Sequence, residues 1–271
     1  MIWITGDLHG GVTAWHISTA NFKPAKRGDI CLCCGDFGAV WYNDCRTNEK
    51  HRREEDYFLE SQLRQRVTWL ACDGNHENFG RLFSGEFPLV DLYGGKAYKI
   101  RNNVYYLKRG EVFEIEGKTF LAFGGAASND KDPGWVYPTL STGFGAFGGG
   151  REWSKGRTEG KDWWPEEVPS REDFENACRN LDHVGWKVDY VISHTCPVSE
   201  RILFGGSGRS ADPTETMLQE LLDRGLEFGA WHFGHFHEEK KVDKFVCHYN
   251  KVEPLGGGIY IGEVTTPINE I

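Results

Sequence analysis

Five times along this chain a short apolar run hands over to Asp, Asn or His set among glycines or at a tight turn. "MIWIT" runs into "GDLHG", "DICLCC" into "GDFG" and "VTWLAC" into "DGNHE"; later "VDYVIS" runs into "HTCP" and "FGAWHF" into "GHFH". Apolar runs this short, bounded by turn residues, read as buried strands, and the polar residues then fall in the loops at their ends. The third loop poses the question most sharply. Asn75, His76 and Glu77 stand side by side after an apolar run, and three polar side chains cannot all be packed into a core. They form either a solvated turn or one wall of a site.

Helical patterns lie between the runs. Residues 48–65 are polar, with apolar side chains at Tyr57, Phe58 and Leu63. "DPTETMLQELLDRG" has Asp212 as an N-cap, Pro213 at the first helical position and Gly225 as a stop, while "SREDFENACRNLDHV" opens with a Ser170/Asp173 pair resembling a capping box. Strands alternating with helices predict an α/β sheet with crossovers. Between Lys96 and Gly125, short β-type runs separated by Asn-Asn, Arg-Gly and Glu-Gly predict antiparallel hairpins. The Gly- and Trp-rich stretch at about 126–169 shows neither period and reads as a lid-like insertion in a single domain spanning 1–271.

Open α/β sheets bind ligands beyond the carboxyl ends of their strands. If the five strands are neighbours, Asp7, His9, Asp36, Asn75, His194, His235 and His237 converge there. Two carboxylates, four imidazoles and an amide oxygen suit first-row divalent ions, and a shared carboxylate can hold two of them roughly 3.5–4 Å apart. Residues two apart on an extended chain project to the same side, so Asp7 with His9, and His235 with His237, can each grip from one direction.

The blocks "GDLHG", "GDFG", "GNHE", "SHT" and "GHFH", in this order from Asp7 to His237, resemble the calcineurin-like metallophosphoesterase superfamily. The resemblance implies a four-layer α-β-β-α sandwich of two mixed β-sheets flanked by helices. It also implies an enzyme, a dinuclear-metal phosphoric ester hydrolase, in which Asp7, His9 and His237 hold one ion. Asp36 bridges, and Asn75, His194 and His235 hold the second. His76 is left for the substrate as the catalytic acid. A hydroxide shared by the ions would attack phosphorus in line, and the cofactors expected are two divalent ions, manganese first among Mn, Fe, Zn and Co.

One departure bears on the substrate. Relatives that act on phosphoproteins resemble GDxxDRG in the second block, with an Asp that orients the catalytic His and an Arg that grips phosphate. Here Ala39 and Val40 stand in those places. Asp73 and Glu77 are the nearby candidates to orient His76, although Glu77 otherwise reads as solvated or structural. Arg151, Lys155 or Arg157 would grip phosphate. Trp135, Tyr137, Trp153, Trp163 and Trp164 could stack a nucleobase or anchor the insertion, and anchoring is preferred for the adjacent pair. His16, His51, His183, His232 and His248 belong to no block and read as solvated or packing residues.

The partner expected is a small phosphorylated substrate, a phosphomonoester or phosphodiester such as a nucleotide. A net charge of −9 opposes an extended duplex nucleic acid. The competing functions are a nuclease on single-stranded nucleic acid and a catalytically silent scaffold of the same fold. No apolar stretch approaches the ~20 residues that cross a bilayer, and the eight cysteines lack zinc-type CxxC pairs. They read as reduced, mostly buried thiols, which together with the missing basic leader pattern predicts a cytoplasmic protein with no membrane partner.

Overall fold

The computed structural model describes residues 1–10, 25–64, 67–128, 131, 136–139, 152–155, 157–206 and 210–256, with backbone alone at 61–64, 136–139 and 152–155. In chain order the elements are β1 (Ile2–Thr5), β2 (Ile30–Cys33), α1 (Glu49–Arg64), β3 (Thr68–Ala71), α2 (Phe79–Leu82), β4 (Leu89–Leu92), β5 (Gly95–Arg101), β6 (Val104–Leu107), β7 (Val112–Ile115) and β8 (Lys118–Phe123). They continue with β9 (Val136–Thr139), β10 (Glu152–Lys155), α3 (Arg171–His183), β11 (Lys187–Ser193), α4 (Pro213–Asp223), β12 (Glu227–Phe233), β13 (Lys240–Val242), β14 (Phe245–Cys247) and β15 (Glu253–Pro254).

Two mixed sheets result. One has the order β15-β1-β2-β3-β6-β5-β4 and the other β13-β14-β12-β11-β8-β7. In the first, β1, β2, β3 and β6 are parallel, and β15, β5 and β4 are added antiparallel. In the second, β14, β12, β11 and β8 are parallel, flanked by antiparallel β13 and β7.

Strand alternation sorts the apolar side chains into layers. Ile2, Ile4, Ile30, Leu32 and Leu70 meet Phe120, Ala122 and Ile192 in one cluster between the sheets. Their neighbours Trp3, Cys31, Cys33 and Trp69 point the other way, onto Phe58 and Leu59 of α1. On the far side Leu121, Phe123, Val191 and Trp231 meet Phe174, Ala177 and Leu181 of α3 with Leu218 and Leu221 of α4. Two faces per sheet, both buried, account for the near-continuous apolar runs, and the order helix, sheet, sheet, helix is the four-layer sandwich.

The caps form as the sequence predicts. Ser170 and Asp173 make the reciprocal box at α3, and Asp212 with Glu215 makes a second at α4, behind Pro213. The stretch from Lys96 to Gly125 departs from a run of hairpins. β5 pairs β6 and β7 pairs β8, but β6 and β7 lie in different sheets, so Arg109-Gly110 is a crossing rather than a hairpin turn. The insertion is not without regular structure either. Its β9 and β10 form an antiparallel ribbon, and a short 3₁₀ turn spans Pro165–Glu167.

All eight cysteines are free thiols, seven of them buried. Among the described residues no helix is long and apolar enough to cross a membrane.

Candidate metal centre

Asp7 and His9 follow β1, Asp36 follows β2, and Asn75 and His76 follow β3; His194 follows β11, and His235 and His237 follow β12. The first five come from one sheet and the last three from the other, and their loops meet where the strand ends converge. The close approach depends on glycines. A Cβ on Gly74 would collide with Asp36 Oδ1, and one on Gly35 would collide with the His194 ring, which gives a steric reason for the glycines that precede Asn75 and Asp36.

The backbone is strained at the same places. Positive φ angles occur at Asp7 (20°), His9 (50°), Asp36 (47°), His235 (68°) and His237 (54°), five of the nine such described non-glycine residues. Each such residue costs of order 1–3 kcal/mol, and such costs persist where the surrounding structure over-determines the position.

The donors form overlapping groups. Asp7, His9 and His237 each offer an atom within 4.8 Å of the others, as do Asp7, Asp36 and His194, and as do His9, Asp36 and His76. His194 Nε2 lies 3.3 Å from Asp36 Oδ1 and 3.2 Å from Asn75 Oδ1, while His9 Nε2 lies 3.1 Å from His237 Nε2. His235 packs edge-on against His194, ring centroids 5.0 Å apart, and donates its backbone N–H to both oxygens of Asp7 at 3.0 Å. Its ring joins none of the three-donor groups found among the described residues.

Burial divides the charges. Asp7 and His194 are fully buried and Asp36 is 2% exposed. Burial pushes the Asp7 carboxyl up to about 8. Burial would also raise Asp36, but the charge of His194 and its hydrogen bond hold it well below the usual range. Burial opposes the charging of His194, yet Asp36 and then Asp7 lift it to about 10. Burial first, and then the neighbouring cationic groups, depress His9, His76, His235 and His237, with His76 at about 4 and His235 at about 3. Two inward-facing carboxylates among imidazoles, with no lysine or arginine bonded to either among the described contacts, fit a pair of first-row divalent ions.

His76 sits at the rim. Trp41 stacks on one side (5.9 Å, 25° between planes) and His9 meets it edge-on at 4.7 Å. Its backbone N–H donates to Asp36 Oδ1 at 2.8 Å, and Arg157 Nη2 approaches its Nε2 at 2.7 Å. The two acids expected to orient it are occupied elsewhere. Asp73 is buried in a salt bridge with Arg109, which also donates to the carbonyls of Glu166 and Glu167. Glu77 is fully buried rather than solvated. It accepts the backbone N–H groups of Phe37 and Gly38 and the Tyr106 hydroxyl at 2.5 Å, bracing the loop that carries Asp36.

Three residues of the insertion root were not foreseen. Ser128 Oγ receives Arg157 Nη1 at 3.1 Å and Asn75 Nδ2 at 3.3 Å, and donates to the buried Glu167, whose other oxygen pairs with Lys131 at 2.6 Å. This network links a metal-donor candidate to the arginine beside His76. Of the expected phosphate contacts, Arg157 is therefore at the rim, while Arg151 and the Lys155 side chain lie outside the described residues. So do Trp135 and the side chains of Tyr137 and Trp153. Trp164 is 5% exposed in the α1-side core, which is the anchoring role, and Trp163 lies under Lys131.

His16 lies outside the described residues. His51 bonds Asp44, and His183 bonds the Arg179 carbonyl. His232 and His248 are buried, with His232 Nδ1 2.8 Å from His248 Nε2. Burial takes His232 down to about 3 and His248 well below its ordinary value, so both rings are neutral.

The model of the family described as "Calcineurin-like phosphoesterase" matches residues 1–239, and the chain belongs to this family. No curated protein and no solved structure matches it.

Proposed function

We propose that the chain is a dinuclear-metal phosphoesterase that hydrolyses a small phosphomonoester or phosphodiester, with nucleotides within its range. The observation that carries this beyond family membership is the rim pair. A neutral imidazole at His76 faces the donor cluster across His9 and is in contact with a guanidinium. Metal holding alone requires no arginine there, whereas an anionic ester does.

Asp7, His9 and His237 would hold one ion and Asn75, His194 and His235 the other, with Asp36 between them. Bound there, the ions would supply Lewis acidity and activate water as the nucleophile. The chain's own groups then divide the remaining work. Arg157 turns its fork from His76 to the phosphoryl oxygens, a planar bidentate contact suited to phosphate. The approach of an anionic substrate favours the protonated form of His76, and its Nε2 is then positioned to give a proton to the leaving oxygen, worth ~10²–10⁴ in rate. Trp41 fixes the plane of the ring. Ser128 keeps Arg157 and Asn75 in register, so substrate contact and metal contact share one support.

In this reading residues 1–271 form one domain with 126–169 as its lid, and the compartment is the cytoplasm, with the eight free thiols in support. The test is elemental analysis of purified protein with hydrolysis of bis-p-nitrophenyl phosphate and p-nitrophenyl phosphate, with and without Mn(II). About two ions per chain with metal-dependent turnover is expected. Metal without turnover on a broad ester panel favours the scaffold, and no metal after Mn(II) loading overturns the reading.

A further inference from the structure

Behind the centre a second set of donors gathers from three segments. Glu239 stands two residues beyond His237, His248 follows β14 directly, and Glu253 opens β15. One oxygen of each glutamate and one ring nitrogen of His248 lie within 4.8 Å of one another. Acidic groups gather on many surfaces, so the pair of glutamates by itself says little.

The histidine is the independent observation. His248 is 1% exposed, and its Nδ1 has no hydrogen-bond partner among the described residues. That atom lies 3.6 Å from Glu253 Oε1, too far for a hydrogen bond. Two ligands at ordinary metal–nitrogen and metal–oxygen distances around a tetrahedral ion stand on the order of 3.4 Å apart.

The far side of the ring is arranged for the same purpose. With its proton on Nε2, His248 donates to His232 Nδ1 at 2.8 Å, and Nδ1 keeps its lone pair toward the glutamates. Metal-ligating histidines are ordinarily fixed by such a bond from the other nitrogen. Glu239 is likewise held, accepting the backbone N–H groups of Tyr249 (3.2 Å) and Lys251 (3.0 Å). Lys251 Nζ reaches Oε2 of Glu253 at 3.3 Å, and Oε1 is the oxygen 3.6 Å from the ring.

We propose that Glu239, His248 and Glu253 form a separate mononuclear site for a first-row divalent cation, Zn(II) or Mn(II), that staples the edges of the two sheets together. One imidazole and two carboxylates suit these ions. Glu253 belongs to β15, paired with β1 (Ile4 opposite Glu253) in the first sheet, and His248 extends β14 of the second. Between them Tyr249 stacks on His237 at 4.8 Å and accepts the Gly6 N–H at 2.7 Å. An ion there fixes the strap that backs both Asp7 and His237. The site does not depend on the phosphoesterase reading.

The experiment is equilibrium dialysis of the full chain against Zn(II), with a weak chelator to strip loosely held ions, read by elemental analysis. Wild type should hold about three ions, and Glu239→Gln, which keeps an oxygen for the two backbone donors, should hold one fewer; Glu253→Gln and His248→Gln should match it. In an Asp36→Asn background the zinc-dependent rise in melting temperature should persist, and it should vanish when Glu239→Gln is added. About two ions in wild type and about two in Glu239→Gln would overturn the staple and leave the dinuclear centre standing. One ion in wild type, lost in Glu239→Gln, would uphold the staple while sinking the dinuclear centre.

Discussion

The inner and outer halves of the centre are built from the same residue types in opposite circumstances. Asp7, Asp36 and His194 are sealed from solvent; Asp36 and His194 hold opposite charges through one another, while burial pushes Asp7 up to about 8. His9, His76 and His237 are open to solvent in part and neutral, and they are bounded by Trp41, Tyr249 and Arg157. The difference teaches that burial alone does not decide a role. The inner carboxylates are costly without a cation and so define where cations belong, while the rim imidazoles can wait uncharged for an anion.

The largest break in this contrast should come from the inner half. Asp36→Asn removes the carboxylate shared by two donor groups; it should deplete both ions in elemental analysis and cut turnover by more than ~10³-fold, the upper end for one lost electrostatic contact. At the rim, His76→Ala should leave metal content near normal and lower kcat by ~10²-fold or more on esters with poor leaving groups. Loss of metal in that variant would show that His76 is a ligand of the His9–Asp36 group instead.

A pH experiment sharpens the same division. In the metal-free protein at pH 7, Asp7 is protonated because its value lies near 8, and His194 is protonated because its value lies near 10. Both must lose a proton to ligate, so metal loading should release up to about two protons and apparent affinity should rise with pH, by up to about tenfold per unit for each proton. Calorimetry in buffers of different ionisation enthalpy counts them. The rim imidazoles should contribute none, being neutral already. The smallest effect expected is that of Arg157→Lys, which keeps a charge but loses the fork. KM should rise by about tenfold or less with metal content unchanged, measured by steady-state kinetics.

What the sequence makes legible follows from how local each constraint is. The seven metal-donor candidates and His76 could be read because each sits directly after an apolar run and metal chemistry admits few residue types. The layers could be read only as mixed α/β from the runs, since which sheet a strand joins depends on crossings such as Arg109-Gly110, whose dipeptide looks like any hairpin turn. Glu77 was illegible because its partner Tyr106 lies 29 residues away. Ser128, Lys131 and Glu167 gave no signal at all within a Gly-rich stretch. β13 to β15, at two or three residues each, are too short to show a period, which also hid the grouping of Glu239, His248 and Glu253.

The bond from the His235 N–H to Asp7 joins residues 228 positions apart, and it has a consequence for synthesis. A growing chain displays Asp7, His9 and Asp36 long before β12 exists, so for most of translation the first sheet carries half a centre. Contacts this distant in sequence form late in folding. On the proposed function, metal capture would therefore be a terminal event, available only after the second sheet has emerged and docked, and a chain that stalls before residue 237 presents incomplete sets of the candidate donors at an unclosed face.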